Sequence, residues 1–183
     1  MKNYLSRILR AIKLDRTLYQ EAVDDPKYFG QAIITVIAYS SFSGIGSFAL
    51  AGGTGINIGM ASTLIGWYVW AFTTYYIGSH FFAESKEPVE RRAVYRAMGF
   101  ATAPGLLRLL GLVQGVGIYI VLLVSIWIVA ASVIAVKKAL NYSSTWRAFG
   151  VCMIGLIASV FVQFMLIVIL FQAFGVSKYA VRG

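Results

Sequence analysis

The chain has 183 residues, 59% of them hydrophobic and 13% charged, with a formal net charge of +9. Ordinary globular domains carry about 25% charged residues, and from Tyr28 to Ala83 there is no Asp, Glu, Lys or Arg, so the composition excludes a soluble domain. The positive charge is no nucleic-acid footprint, because the basic residues stand beside apolar runs, where membrane topology and anionic lipid headgroups account for them.

Residues 1–26 read as an amphipathic segment at the cytoplasmic face. Leu5, Ile8, Leu9 and Ile12 form one stripe at helical spacing, with Ser6, Arg7, Arg10 and Lys13 opposite. Such a helix either lies in the headgroup plane or packs on the ends of the membrane spans. The stripe falters at Asp15, which is placed to cap a second short helix carrying Leu18, Tyr19 and Ala22. Charges break this stretch throughout, so it lacks the apolar core of a cleavable signal, and the first apolar run is expected to act as an uncleaved anchor.

Asp24-Asp25-Pro26 is a helix-start signal: proline suits the first turn, and carboxylates favour the positive end of the helix dipole. A first span is expected from Lys27 to Leu50, a turn at Ala51-Gly52-Gly53-Thr54-Gly55, and a second span from Ile56 to Phe82 with His80 near its inner end. Glu84 to Arg92 reads as a charged loop. The third span, Ala93 to Leu110, holds Arg96 and Arg108 near its two ends and Pro104-Gly105 inside, so a kink is expected near Ala101 to Pro104. Gly111 to Gly115 turns the chain into a fourth span, Val116 to Val136, which ends at Lys137-Lys138. Arg147 precedes a fifth, uncharged run from Ala148 to Ser177, and residues 178–183 form a short outer tail.

The membrane domain thus covers 27–177, an all-α bundle of five transmembrane helices. Thirteen of the sixteen basic residues fall on one side of it, leaving Arg108, Lys178 and Arg182 on the other. The positive side is cytoplasmic, which places the N-terminus in and the C-terminus out.

Catalytic chemistry finds little to work with. All seven acids (Asp15, Glu21, Asp24, Asp25, Glu84, Glu87, Glu90) lie in expected cytoplasmic segments, and His80 is the one histidine. There is no His-Glu-x-x-His, no Gly-x-Ser-x-Gly and no phosphate-cradling Gly-x-x-x-x-Gly-Lys. No acid stands mid-span, where a proton- or cation-coupled transporter usually keeps one. Cys152 is the lone cysteine, a small buried hydrophobe with no disulfide partner. No enzyme activity, metal or cofactor is expected.

The two arginines of span three carry more meaning. They are twelve residues apart, about 18 Å along a helix. Arg108 is expected to snorkel to the outer interface. For Arg96 the nearest acids are Asp24 and Asp25 at the mouth of span one, a pairing that would clamp spans one and three. Lipid phosphate or the loop glutamates are the alternative partners. Ala97-x-x-x-Ala101-x-x-x-Gly105, Gly55-x-x-x-Gly59 and Gly111-x-x-x-Gly115 have the spacing of close helix contacts, within the chain by default or in a dimer.

Three stretches together resemble the Yip (Ypt-interacting protein) domain family, in a small prokaryotic form. They are Leu14-Asp15 through Tyr19 to Asp25-Pro26 and Gln31-Ala32, then Arg96-Ala97-Met98-Gly99-Phe100-Ala101-Thr102-Ala103-Pro104-Gly105, then Trp127 with Ala135-Val136-Lys137-Lys138-Ala139-Leu140 and Thr145-Trp146-Arg147-Ala148. The resemblance implies a five-span bundle, N-terminus in and C-terminus out, without enzymatic activity. The candidate structural or partner-binding residues are Asp24, Asp25, Pro26, Arg96, Gly99, Pro104, Gly105, Arg108, Trp127, Lys137, Lys138 and Arg147. The chain lacks the long cytosolic N-terminal region of the trafficking members, so their engagement of small GTPases does not carry over. The expected role is a scaffold or accessory subunit in the plasma (inner) membrane of a prokaryote. It would bind another integral membrane protein or itself, and anionic headgroups at the cytoplasmic face. The alternative is a subunit of a small-solute transporter, exporter or channel.

Overall fold

The computed structural model describes residues 2–46, 48–84, 88–113 and 115–173. Lys86 and Glu87 of the charged loop, the expected end of span five at Ser177 and the tail 178–183 lie outside the described residues. The chain is all-helical: α1 (Lys2–Ile12), α2 (Arg16–Asp24), α3 (Phe29–Ile45), α4 (Phe48–His80), α5 (Arg91–Ala101), a 3-10 helix (Ala103–Leu112), α6 (Gly117–Ala139) and α7 (Thr145–Ala173). Among the described residues, α6 and α7 are the two helices long and apolar enough to cross a membrane by length and composition.

Five segments form the bundle, and they alternate in direction. Gly99 abuts Ala32, Gly105 abuts Tyr39, and Arg108 bonds Ser43, so α5 and the 3-10 helix run the same way as α3. Thr63 bonds Ser43 near one end and Tyr68 meets Tyr95 near the other, so α4 runs against them. Helix α6 returns along the 3-10 helix, with Gly117 against Gly111 and Ser125 bonded to Arg108. Helix α7 runs antiparallel to α4, through Tyr142 to Gly78, Trp70 to Cys152 and Ser159 to Gly66.

Two expected boundaries move. The turn foreseen at Ala51 to Gly55 is helical, and the chain reverses instead just after Gly46, so the second segment starts at Phe48. The glycine signal was real but differently used. Gly52 has φ +56°, a left-handed value that glycine adopts without a side-chain clash. It stands inside α4 and does not separate two spans. Span three is also split. α5 stops at Ala101, and Pro104 sits in the first turn of the 3-10 helix. This is the expected break, made sharper: the missing proline N–H ends the α-helical ladder.

The N-terminal segment packs on the bundle, as one reading of its stripe allowed. Ile8 and Ala11 are buried against the bundle, while Leu5 and Leu9 remain 62% and 58% exposed. Tyr4 bonds Thr35, and the Trp127 indole donates to the Ile12 carbonyl at 3.0 Å. Asp15 caps α2 by accepting from the Thr17 N–H at 2.9 Å, and Leu18, Tyr19 and Ala22 are wholly buried.

Candidate functional site

Arg96 is the largest fully buried side chain among the described residues, at 1% exposure. Its partner is not Asp24 or Asp25. Nε donates to the Ala22 carbonyl at 2.7 Å and Nη2 to the Val23 carbonyl at 2.5 Å, with Glu90 at 3.2 Å from Nη2. The physical reason lies at the end of α2. The last carbonyls of a helix have no intrahelical donors, and they carry the negative end of its dipole. Asp25 N–H takes the Glu21 carbonyl, and Arg96 takes the next two. Asp25 has an extended backbone ahead of Pro26, as residues before proline must, so α2 ends where α5 can reach it. Glu90, a loop glutamate, supplies the charge. The clamp therefore joins α2 to α5, not span one to span three.

The aspartates act locally. Asp24 accepts from the Gln20 amide, and Asp25 caps the short turn Pro26–Tyr28 by accepting from the Lys27 N–H at 2.9 Å. Above them Arg10 gathers a network. Its Nε donates to Asp15 at 2.7 Å, and its other nitrogens reach Glu21 and Thr17. Hydrogen bonds from Thr17 and Arg10 hold the Asp15 carboxyl well below the usual carboxylate range, and Arg10 and Tyr28 lower that of Glu21. Arg7 bonds Gln31 and lies over the Tyr28 ring at 4.0 Å. Arg7 and Arg10 are thus committed internally, and Lys13, Arg16, Lys27, Arg91 and Arg92 form the exposed basic rim.

The remaining candidates divide between packing and loop ties. Lys137 bonds the Thr145 hydroxyl, Lys138 lines a groove with Arg16, Glu21 and Asp24, and Arg147 pairs with Glu84 at 2.8 Å. Hydrogen bonds from Ser143 lower the Glu84 pKa. His80 stacks on Tyr76 and bonds to Ser79 and Tyr76 of its own helix. Gly99 lets α3 and α5 touch: a Cβ there would lie 2.8 Å from that of Ala32. Gly105 leaves the room that the Tyr39 ring occupies.

Arg108 does not snorkel outward. Nη1 donates to Ser43 at 3.1 Å and Nη2 to Ser125 at 3.0 Å, and the guanidinium lies 5.2 Å from the centre of the Tyr39 ring. Its Nε is buried with no partner among the described residues. Beside it is a cavity of about 330 Å³ between α3, α4, the 3-10 helix, α6 and α7, lined also by Thr63, Trp67, Trp70, Ser159 and Gln163. Ile128 and Ser159, two of its walls, are the midpoints of α6 and α7. The sequence held one signal for this place. Gln163 is the sole amide of α7 until Gln172, and Thr63, Ser125 and Ser159 each interrupt an apolar run.

Among the described residues no group of three His, Cys, Asp or Glu side chains converges as a metal site would. No curated protein and no solved structure matches the chain. A family model, described as the Yip1 domain, matches residues 15–172, the stretch from the α2 cap through almost all of α7. That match spans the Arg96 clamp, the Pro104 break and both long apolar helices, and the chain belongs to the Yip1 domain family.

Proposed function

We propose that the chain is a five-span membrane bundle, N-terminus in and C-terminus out, serving as a non-enzymatic scaffold or accessory subunit in the plasma (inner) membrane of a prokaryote. Membership of the family and the alternating direction of five segments support the placement. The outward face of α7 carries the partner-binding reading. Trp146, Phe149, Ile154, Ile157, Phe161 and Phe164 are all exposed there, and Gly150 among them has no atom within 4 Å of where a Cβ would stand. Between helices in lipid, apolar area gives little drive, so partners associate by close backbone approach, which a small residue permits. The occupant is another integral membrane protein or a second copy. The basic rim of Lys13, Arg16, Lys27, Arg91 and Arg92 meets anionic headgroups.

A photo-crosslinking residue at Ile157, activated in native membranes, tests this. A discrete protein adduct that disappears with Gly150→Leu supports the scaffold. The cavity at Arg108 favours the second reading, a subunit moving a small solute. Solute flux in liposomes holding only this chain, with no adduct at Ile157, would transfer the assignment to transport.

A further inference from the structure

We propose that the cavity beside Arg108 binds a phosphate-type oxyanion, carried on a lipid that enters between α6 and α7 or free in solution. The inference rests on the bundle standing in a bilayer, and it goes beyond the scaffold reading by assigning a ligand.

The argument is one of charge. Arg96 shows what a compensated arginine looks like here: two carbonyls and a carboxylate. Arg108 has none of these. Its partners among the described residues are two neutral hydroxyls and a ring face, and its buried Nε–H has no acceptor among them. From Arg91 to Gly183 the sequence has no Asp or Glu, nor has it any from Pro26 to Ala83. No part of α3, α4, the 3-10 helix, α6 or α7 can therefore supply an anion. A guanidinium at the level of the helix midpoints attracts a counter-charge strongly, because little water competes for it. Its planar fork matches the oxygens of phosphate.

The cavity offers the room. About 330 Å³ is at the lower end of small-molecule sites, enough for a headgroup phosphate and part of its ester. Thr102 and Ser159 donate their hydroxyl protons to the Gly99 and Gly66 carbonyls, which leaves Arg108 as the charge that selects the ligand. Four of the α6 and α7 side chains in its wall, Ile128, Val129, Leu156 and Val160, are aliphatic. Val160 is also 56% exposed on the side of the bundle, so the cavity opens laterally there, where a lipid tail can remain in the membrane while its head enters.

Trp67 and Trp70 line the cavity and report on it. The protein, with Trp127 and Trp146 changed to phenylalanine, is placed in vesicles containing phosphatidylglycerol or phosphatidylcholine brominated on the acyl chains. Separately, sodium phosphate is titrated against chloride at equal ionic strength in zwitterionic vesicles. A second protein retaining only Trp127 scores membrane insertion, so that a failure to insert is distinguished from a failure to bind. A lipid ligand predicts stronger quenching by phosphatidylglycerol, whose phosphate charge is not offset by a choline cation as it is in phosphatidylcholine. That preference is lost in Arg108→Gln, reduced in Arg108→Lys, and lost in Val160→Phe, which plugs the mouth without touching the arginine. A free-anion ligand predicts a phosphate-specific fluorescence change that Arg108→Gln removes and Val160→Phe leaves intact. Should Arg108→Gln fail to fold by circular dichroism, Arg108→Lys and Val160→Phe decide by the same criteria. Equal quenching by both lipids with no phosphate response in inserted protein overturns the proposal, as does a preference unchanged in Arg108→Lys and Val160→Phe.

Discussion

At the scale of single residues, the two arginines of one segment solve the same problem in opposite ways. Both were legible as intramembrane charges. Of the partners weighed for Arg96 the loop glutamate is present, as Glu90, while its helix-end carbonyls and the partners of Arg108 were not foreseen. Arg96 was matched with the nearest acids, Asp24 and Asp25, whereas a helix end is itself an acceptor. The stop before Pro26 was written in the same residues that were read as a start. Arg96→Met should therefore cost about 2–4 kcal/mol by leaving the Ala22 and Val23 carbonyls buried and unpaired. Arg96→Lys should recover part of that, while Asp24→Asn stays within about 0.5 kcal/mol. Reversible unfolding in mixed micelles measures this series, and a large loss in Asp24→Asn would restore the aspartate pairing. Gly99 belongs to the same scale. Gly99→Leu must push Ala32 away, at a cost of about 1–3 kcal/mol or more, readable as a lower midpoint in the same assay.

The elements show where local signals were strong and where they were ambiguous. The α2 cap at Asp15 and the break before Pro104 depend on a few neighbouring atoms, and both were readable. The Ala51 to Gly55 run misled, because glycine permits a turn without requiring one, and contacts of Gly44 with Ile56 and Met60 hold the start of the next segment in place. The 3-10 conformation after Thr102 has a consequence for the cavity. A 3-10 helix turns 120° per residue and an α-helix 100°, so four residues from Pro104 to Arg108 differ by about 80° in facing. Pro104→Ala permits α-helix to continue and should swing Arg108 away from Ser43 and Ser125. The expected outcome is unchanged or slightly raised thermal stability with the phosphate-type ligand response lost. A variant that binds normally would show that the 3-10 geometry is incidental. The α1–α2 junction predicts an acid response. The Asp15 and Glu21 carboxyls titrate lower in the folded chain than in the unfolded one, so the folded state holds fewer protons. Their stabilisation is complete above the ordinary carboxylate range, about pH 4 to 4.5, and is lost progressively as the pH falls from there through their lower folded values. The unfolding midpoint should drop below about pH 5, and the Asp15→Asn/Glu21→Gln protein should start lower at pH 7 yet show a flatter acid slope. Equal slopes would mean that the Arg10 network does not contribute.

For the whole molecule, composition and the positive-charge count pointed to a membrane bundle, and family membership and an all-helical fold agree with that. What was out of reach was the interior. A cavity depends on how five segments pack, and Tyr39, Thr63 and Gln163, far apart in sequence, meet only once they do. The central claim is that these segments cross the bilayer five times, each reversing the last, from a cytoplasmic N-terminus to an external C-terminus. Paired reporter fusions test it most directly: alkaline phosphatase, active only outside the cytoplasm, and a fluorescent protein that matures only inside, each placed at either end of the full chain. The account predicts phosphatase activity at the C-terminus and fluorescence at the N-terminus. The same reporter active at both ends would mean an even number of crossings and would contradict it.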